Sequence, residues 1–294
     1  MSLKTQIREF VKGLTLFDNI LFLKAAEDRD FCEEILQIIL DDPVVSVIEN
    51  LPQKEVLNLQ GRSVVVDLLC TLGNGKTTVV EVQKTDSEDH IRRVRYDASL
   101  ITANITDPGK KFSEVPDVII IYITKFDLFN KNATKYTVRR TLIEFGDELN
   151  DGEQIIFINS FVDDGSKLAR LMKVFTGNKN YQKEFPHTYD RIACFTEKEE
   201  GIDIMSTRYE EFFQEYLKKA KEDGIREGIR EGIREGKREG IREGIREGEK
   251  KGIHGAISIC KRFNASYDDT LHEILRTYHL SQSDAEKYMD KYWM

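Results

Sequence analysis

The sequence lacks the long apolar runs of a membrane protein and the paired cysteines of a secreted one. No stretch of 18 consecutive apolar residues occurs in the 294 residues, so no transmembrane helix is predicted. The first nine residues contain no apolar signal-peptide core. The four cysteines (Cys32, Cys70, Cys194 and Cys260) are widely separated, without disulfide or metal-ligand spacing. We therefore expect a cytoplasmic protein with no membrane partner.

Histidine is also scarce, and positive charge does not dominate. The five histidines are dispersed and form no zinc-finger or His-Glu-x-x-His pattern, which argues against the common histidine-based zinc sites. The net charge of −8 argues mildly against a surface coated for nucleic-acid binding, although a local basic face can coexist with an acidic total. The 33% of charged residues suits a globular protein with a charged extension.

Two acidic residues interrupt apolar runs that have the character of β-strands. Asp67 lies within residues 64–70, and Glu81 follows within residues 79–82. A carboxylate is costly to bury in such a strand unless a cation or hydrogen-bond donors compensate it. Two strands that bring carboxylates to one place therefore predict a divalent metal site. The alternative is that one acid faces water at a sheet edge.

The loop between these strands decides whether the two acids share a face, because side chains alternate faces along a strand. A two-residue loop, residues 74–75, would place Asp67 opposite Val82 and turn the acids to opposite faces. A three-residue loop, residues 73–75, would place Asp67 directly across from Glu81, with Cβ atoms roughly 5 Å apart. Carboxylates this close repel each other unless a cation lies between them.

The order of the predicted elements indicates an α/β domain with a mixed sheet over residues 1–215. Apolar periodicity predicts, in order, a helix at 28–41, the hairpin with the two acids, a helix that bears Arg93 and Tyr96, strands at 115–123 and 154–159, and a helix at 166–175.

Residues 216–252 form a predicted linker with an internal repeat, and residues 253–294 a small helical tail. Glycine recurs at every fourth position from Gly224 to Gly252, in units of Gly-Ile-Arg-Glu. As a helix, the repeat gains about 0.2–0.5 kcal/mol for each Glu–Arg pair but loses about 1 kcal/mol at each glycine relative to alanine. The repeat could therefore form either a helix or a solvated spacer. Glycine-mediated pairing of this segment would give a homodimer.

The acids, the helix after them and the later aromatic segment together resemble the PD-(D/E)XK nuclease family transposases, the group that includes recombination-promoting nucleases. The resemblance covers about residues 15–215. It is carried by Asp67 after its valines, Glu81-Val82-Gln83, Arg93-x-Arg95-Tyr96 and Tyr122-x-x-x-Phe126-Asp127. It implies a restriction-endonuclease-like core, DNA as the substrate and hydrolysis of phosphodiester bonds that depends on Mg²⁺, with Mn²⁺ as a substitute.

The resemblance also implies roles for individual residues. Asp67 would be the central metal ligand on the second strand and Glu81 the acidic ligand on the third. An acid on the first helix, Glu34 or less readily Glu33, would complete the catalytic group. Gln83 stands where the motif has lysine, and it would position the attacking water without contributing positive charge.

The missing lysine charge leaves two functions open. Arg92, Arg93 or Arg95 could supply the charge, or these arginines could be surface residues and phosphate clamps. We predict a metal-dependent DNA endonuclease of mobile-element type. The alternative is a catalytically weakened nuclease fold that binds DNA or acts as an oligomeric assembly factor.

Overall fold

A computed structural model of the chain describes residues 3–58, 61–86 and 89–293. These residues fall into two units, Met1–Phe213 and Gln214–Met294. The three segments expected from the sequence, with boundaries after residues 215 and 252, stay a prediction.

The first unit is an α/β domain, as the sequence predicts. Its helices are α1 (Leu3–Lys12), α2 (Asn19–Ala25), α3 (Arg29–Leu40), α4 (His90–Ile105), α5 (Lys167–Phe175) and α6 (Pro186–Thr196), and α7 (Glu199–Arg262) begins in it. Its strands are β1 (Val47–Val56), β2 (Val64–Leu72), β3 (Thr77–Gln83), β4 (Val118–Thr124), β5 (Lys135–Val138), β6 (Thr141–Leu142), β7 (Asp147–Glu148) and β8 (Glu153–Asn159).

Within the described residues, six of these strands form one mixed sheet in the order β1-β2-β3-β4-β8-β5. The first three strands pair antiparallel, β3, β4 and β8 pair parallel, and β5 is antiparallel to β8. Strand β4 is buried along its whole length, as expected for a central strand covered on both faces. Strands β6 and β7 form a separate small hairpin.

Helices cover both faces of the sheet. Ile121 and the alternate residues of β4 pack with α2, α3 and α5 on one face. Tyr122 lies on the other face, in a second cluster with Val94 and Ile101 of α4. Helix α4 begins after Asp89, whose side chain accepts a hydrogen bond from the backbone N–H of Arg92. The face under α4 is the one that receives the acidic side chains.

The hairpin between β2 and β3 has the three-residue loop. The Leu72 N–H donates to Lys76 O at 2.9 Å, and the Gly75 N–H donates to Leu72 O at 2.9 Å. Gly75 has a φ of 82°, a left-handed conformation that glycine adopts without the steric cost of a side chain. The strands pair from Thr71–Thr77 to Leu68–Val80, and Asp67 and Glu81 are the next residues along the two strands.

The second unit contains the repeat and the tail. Helix α7 runs through the whole repeat, so the helical reading is confirmed. Helices α8 (Tyr267–Tyr278) and α9 (Gln282–Tyr292) follow, and they pack with the end of α7 around a small apolar cluster. The members of that cluster are Ile253, Ile257, Leu271, Ile274, Ala285 and Met289. Every helix in the described residues is too short or too polar to cross a membrane.

Candidate active site

Asp67 and Glu81 lie at the point where backbone pairing between β2 and β3 gives way to side-chain contacts. The last backbone pair in the ladder is Leu68–Val80. Beyond it, Glu81 Oε1 accepts a hydrogen bond from the Asp67 N–H at 3.0 Å. Asp67 Oδ2 in turn accepts one from the Val82 N–H at 2.9 Å. The two carboxylates therefore occupy the gap between the strands and face each other's backbone.

Burial makes both acids hold a proton more tightly than an exposed carboxyl. Glu81 is only 4% exposed, and desolvation, with the negative charge of Asp67 as the second cause, raises its pKa well above the usual range. Desolvation also raises the pKa of Asp67, although the Val82 N–H and the Arg93 guanidinium oppose this effect. A bound cation would remove both penalties by compensating the paired charges.

Helix α4 adds a cation and a third acid to this pair. Arg93 Nη2 lies 3.5 Å from Glu81 Oε2, and Arg93 Nε lies 3.7 Å from Asp97 Oδ2. Asp97 is one helical turn after Arg93 and is 3% exposed. Its negative charge also contributes to the raised pKa of Glu81. When ionised, these three carboxylates outnumber the guanidinium and leave the cluster negative.

The amino end of α2 reaches the same acids from the other side. Asn19 Nδ2 lies 3.4 Å from Asp67 Oδ1, at the limit of a hydrogen bond. The preceding residue, Asp18, binds Lys84 Nζ through Oδ1 at 2.7 Å. Lys84 is three positions after Glu81, so it takes the opposite face of the strand, as parity predicts. Its ammonium is engaged by Asp18.

Gln83 shares a face with Glu81 at the carboxyl end of β3. Its side chain is half-buried, and its Nε2 donates to Thr85 O at 3.0 Å. The amide therefore holds the turn that leaves the strand. The amide oxygen of Gln83 can accept a hydrogen bond, for example from a water molecule. The role of Gln83 in positioning water stays a prediction.

The acids of α3 make other contacts. Glu34 accepts hydrogen bonds from the backbone N–H groups of His187 and Thr188, at 3.3 and 2.7 Å, at the start of α6. Glu33 accepts from the Val47 N–H at 2.8 Å and from Arg29. These contacts give both residues structural roles, and the predicted third ligand on this helix finds no support in them.

The donor set at the centre of the site fits a hard divalent cation. Among the described residues, no group of three acids, histidines or cysteines is arranged to hold a metal ion, so Asp67 and Glu81 stand as a two-carboxylate set. Mg²⁺ is commonly held by one or two carboxylates, with water and substrate phosphates as its remaining ligands. The pair therefore matches that coordination chemistry.

An arginine-lined cleft opens beside the acids. It has a volume of 630 Å³, and its charged lining residues are three arginines and two acids: Arg62, Arg92, Arg93, Asp89 and Asp97. The Tyr96 hydroxyl donates to Arg62 O and accepts from Asn58 Nδ2 at 2.9 Å, which ties α4 to the segment before β2. The cleft brings guanidinium groups to the edge of the acidic cluster.

Sequence reasoning missed two members of this site. Asp97 is four positions after Arg93, a helical spacing that brings opposite charges together, so the signal was present. Asn19 is 48 residues from Asp67 in the chain, and no local pattern connects them.

The fold and site define the class of protein: a mixed-sheet α/β domain with a buried Glu81 and a half-buried Asp67 where the pairing of two strands ends, next to a cleft that carries arginines. The family model for PD-(D/E)XK nuclease family transposases matches residues 21–171, just over half of the 294 residues. The chain therefore belongs to this family, which confirms the resemblance. No match was found among curated proteins or among solved structures.

Proposed function

We propose that this protein is a Mg²⁺-dependent DNA endonuclease of the mobile-element type, which hydrolyses phosphodiester bonds, with Mn²⁺ as an effective substitute. The observation that carries the proposal is the convergence of Asp67 and Glu81, each bound to the backbone of the other's strand. The family supports a nuclease, and the arginine-lined cleft supports a polyanionic substrate.

In this proposal the residues of the site have separate roles in metal binding, water positioning and phosphate binding. Asp67 and Glu81 would hold the metal ion through their carboxylate oxygens. The metal would supply Lewis-acid activation of water and neutralise phosphate charge. Gln83 orients the water through its amide, and the arginines of the cleft bind backbone phosphates. Glu34, the predicted helix acid, keeps its role at α6.

Plasmid cleavage tests the proposal. Supercoiled DNA is incubated with the protein and Mg²⁺ or Mn²⁺, beside an EDTA control. We expect nicking that EDTA and Asp67→Ala abolish, whereas Asp107→Ala, at an exposed acid after α4, cleaves normally. Cleavage by a folded Asp67→Ala variant would refute the assignment of the site. Absence of cleavage by the folded wild type with either metal would refute the activity.

A second candidate function, oligomeric assembly with weakened chemistry, is favoured by the surface of the repeat helix. Ile225, Ile229 and Ile233 recur every four residues and are each more than half exposed. A Cβ placed on the neighbouring glycines, such as Gly228 or Gly232, would contact nothing within 4 Å. Both features suit a homodimer formed through this helix.

Light scattering on the eluting protein tests this assembly. We expect the full chain to be dimeric and a truncation before Gly224 to be monomeric. A dimer that survives the truncation would remove the repeat from the interface.

A further inference from the structure

Arg93 lies between the acidic cluster and the open cleft. Its guanidinium contacts Glu81 at 3.5 Å and Asp97 at 3.7 Å. One third of its side chain is exposed, and the residue also lines the cleft. A group with one edge on the acids and another on the cleft is placed to meet a ligand that approaches the acidic pair.

The neighbouring cations lack this position. Lys84 lies on the opposite face of β3 and binds Asp18. Arg92 lines the cleft, but its side chain is 78% exposed and pairs with Asp89. Among these residues, Arg93 alone combines the cleft with a contact to Glu81.

Asp97 determines where this guanidinium lies. Asp97 is a buried residue of α4, one turn after Arg93, and its Oδ2 lies 3.7 Å from Arg93 Nε in an ion pair. Arginine has five donors in a planar fork. With Nε paired to Asp97, the terminal nitrogen Nη2 lies 3.5 Å from Glu81 Oε2, and the residue lines the cleft.

We propose that Arg93 is a catalytic residue that contacts the scissile phosphate of the DNA strand, and that Asp97 is its positioning residue. This inference rests on the proposed endonuclease function. It assigns to Arg93 the positive charge that neutral Gln83 cannot supply.

The chemistry that Arg93 would assist is simple hydrolysis. A bond forms between a water oxygen and phosphorus, and the bond from phosphorus to one sugar oxygen breaks. The water's proton leaves to solvent, and the departing oxygen takes up a proton. Arg93 exchanges no proton, because its guanidinium stays charged. It binds the phosphate oxygens, whose negative charge it stabilises most strongly at the transition state.

Single-turnover cleavage of a labelled duplex by the full-length protein tests the proposal. We expect Arg93→Gln to lower the rate at saturating protein by about 100-fold, the scale for loss of one charge-stabilising donor. Arg93→Lys should recover part of the rate, because it restores charge without the fork. The matched control is Arg208→Gln, at an exposed arginine of α7 that does not line the cleft, which should retain the wild-type rate within about threefold.

The role of Asp97 is tested by a double-mutant cycle. We expect Asp97→Asn to lower the cleavage rate by about tenfold. The double variant Arg93→Gln/Asp97→Asn should be no slower than Arg93→Gln alone, because both changes disrupt the same interaction with the phosphate. Metal binding by isothermal titration without DNA gives a second readout. Arg93→Gln should bind Mn²⁺ at least as tightly as the wild type, because a repelling cation has been removed.

The possible results are distinct. Wild-type cleavage by Arg93→Gln, with Asp67→Ala inactive, would overturn the role of Arg93 and leave the endonuclease standing. Additive losses in the cycle would overturn the role of Asp97. A loss of Mn²⁺ binding in Arg93→Gln would reassign Arg93 to holding the acids. A folded wild type that cleaves with neither metal would overturn both the endonuclease and this inference.

Discussion

Glu81 Oε1 is bonded to the backbone N–H of Asp67, and Asp67 Oδ2 is bonded to the backbone N–H of Val82. This reciprocal arrangement satisfies two donors at the point where β2 and β3 stop pairing through their backbones. It also holds two carboxylates together, although their charges oppose each other. The strands themselves therefore hold the two carboxylates in one place.

The free energy of unfolding should depend on pH because two carboxylates are held close together in the folded protein. The pKa of Glu81 is raised above its ordinary value, so the folded, metal-free protein binds more protons than the unfolded chain. The stability that the folded state gains from holding this proton is fully present below the ordinary pKa of glutamate. It is lost as pH rises through the raised pKa of Glu81. Glu81→Gln removes this loss, and we expect it to raise the free energy of unfolding at pH 8 by about 1 kcal/mol.

Urea denaturation in EDTA at pH 5 and pH 8 measures this effect. The control is Glu55→Gln, at an exposed position of β1, which should leave the difference between the two pH values unchanged. A Glu81→Gln protein that is as pH-sensitive as the wild type would contradict the prediction.

Metal affinity should rise with pH. The pKa of each acid is raised by desolvation, so protons compete with the metal up to a higher pH than they would at exposed carboxylates. We expect tighter Mn²⁺ binding at pH 8 than at pH 6, and proton release on binding. Titration calorimetry in buffers with different ionisation enthalpies detects the released protons, and an apparent affinity that is the same at both pH values would contradict this.

Glu34→Ala separates a structural acid from a metal ligand. Glu34 accepts two backbone N–H groups at the start of α6, and loss of such a cap costs about 0.5–2 kcal/mol. We therefore expect a lower midpoint in urea denaturation but unchanged Mn²⁺ affinity. Loss of metal binding by the folded variant would restore Glu34 to the site.

Two glycines of α7 should respond to alanine in opposite ways. A Cβ at Gly201 would lie 1.7 Å from the backbone oxygen of Cys194, so Gly201→Ala should destabilise the first unit by about 1–3 kcal/mol or more. A Cβ at Gly232 would contact nothing, so Gly232→Ala should raise helix stability by about 1 kcal/mol. Thermal melts followed by circular dichroism compare the two variants.

Gly232→Ala also reports on the homodimer. If glycine at this position permits close approach of a second chain, alanine should weaken the dimer while strengthening the helix. A variant that gains helix stability and keeps its dimer would show that the partner does not pack at Gly232.

The two acids at the centre of the site could be recognised in the sequence, because the alternation of side chains along a strand and the length of a loop are local properties. The chain alone assigns Asp67 and Glu81 to two neighbouring strands and predicts the central strand β4 from its apolar run. It leaves open whether the two acids share a face, because both a two-residue and a three-residue loop fit the sequence. Strand β1 was not predicted because it is a partly exposed edge strand that contains Pro52. The contacts of Glu34 and Asn19 depend on residues 153 and 48 positions away, which no local pattern records.

The loop at residues 73–75 touches neither acid, yet the acids depend on the number of residues in it. Substitutions at Asn74 leave the count intact, and with it the face on which each carboxylate emerges. A chain shortened by one loop residue keeps the site if a two-residue turn still joins Leu72 to Lys76. If Gly73 entered the strand instead, Asp67 would lie across from Val82, and the two carboxylates would emerge on opposite faces although both acids were still present.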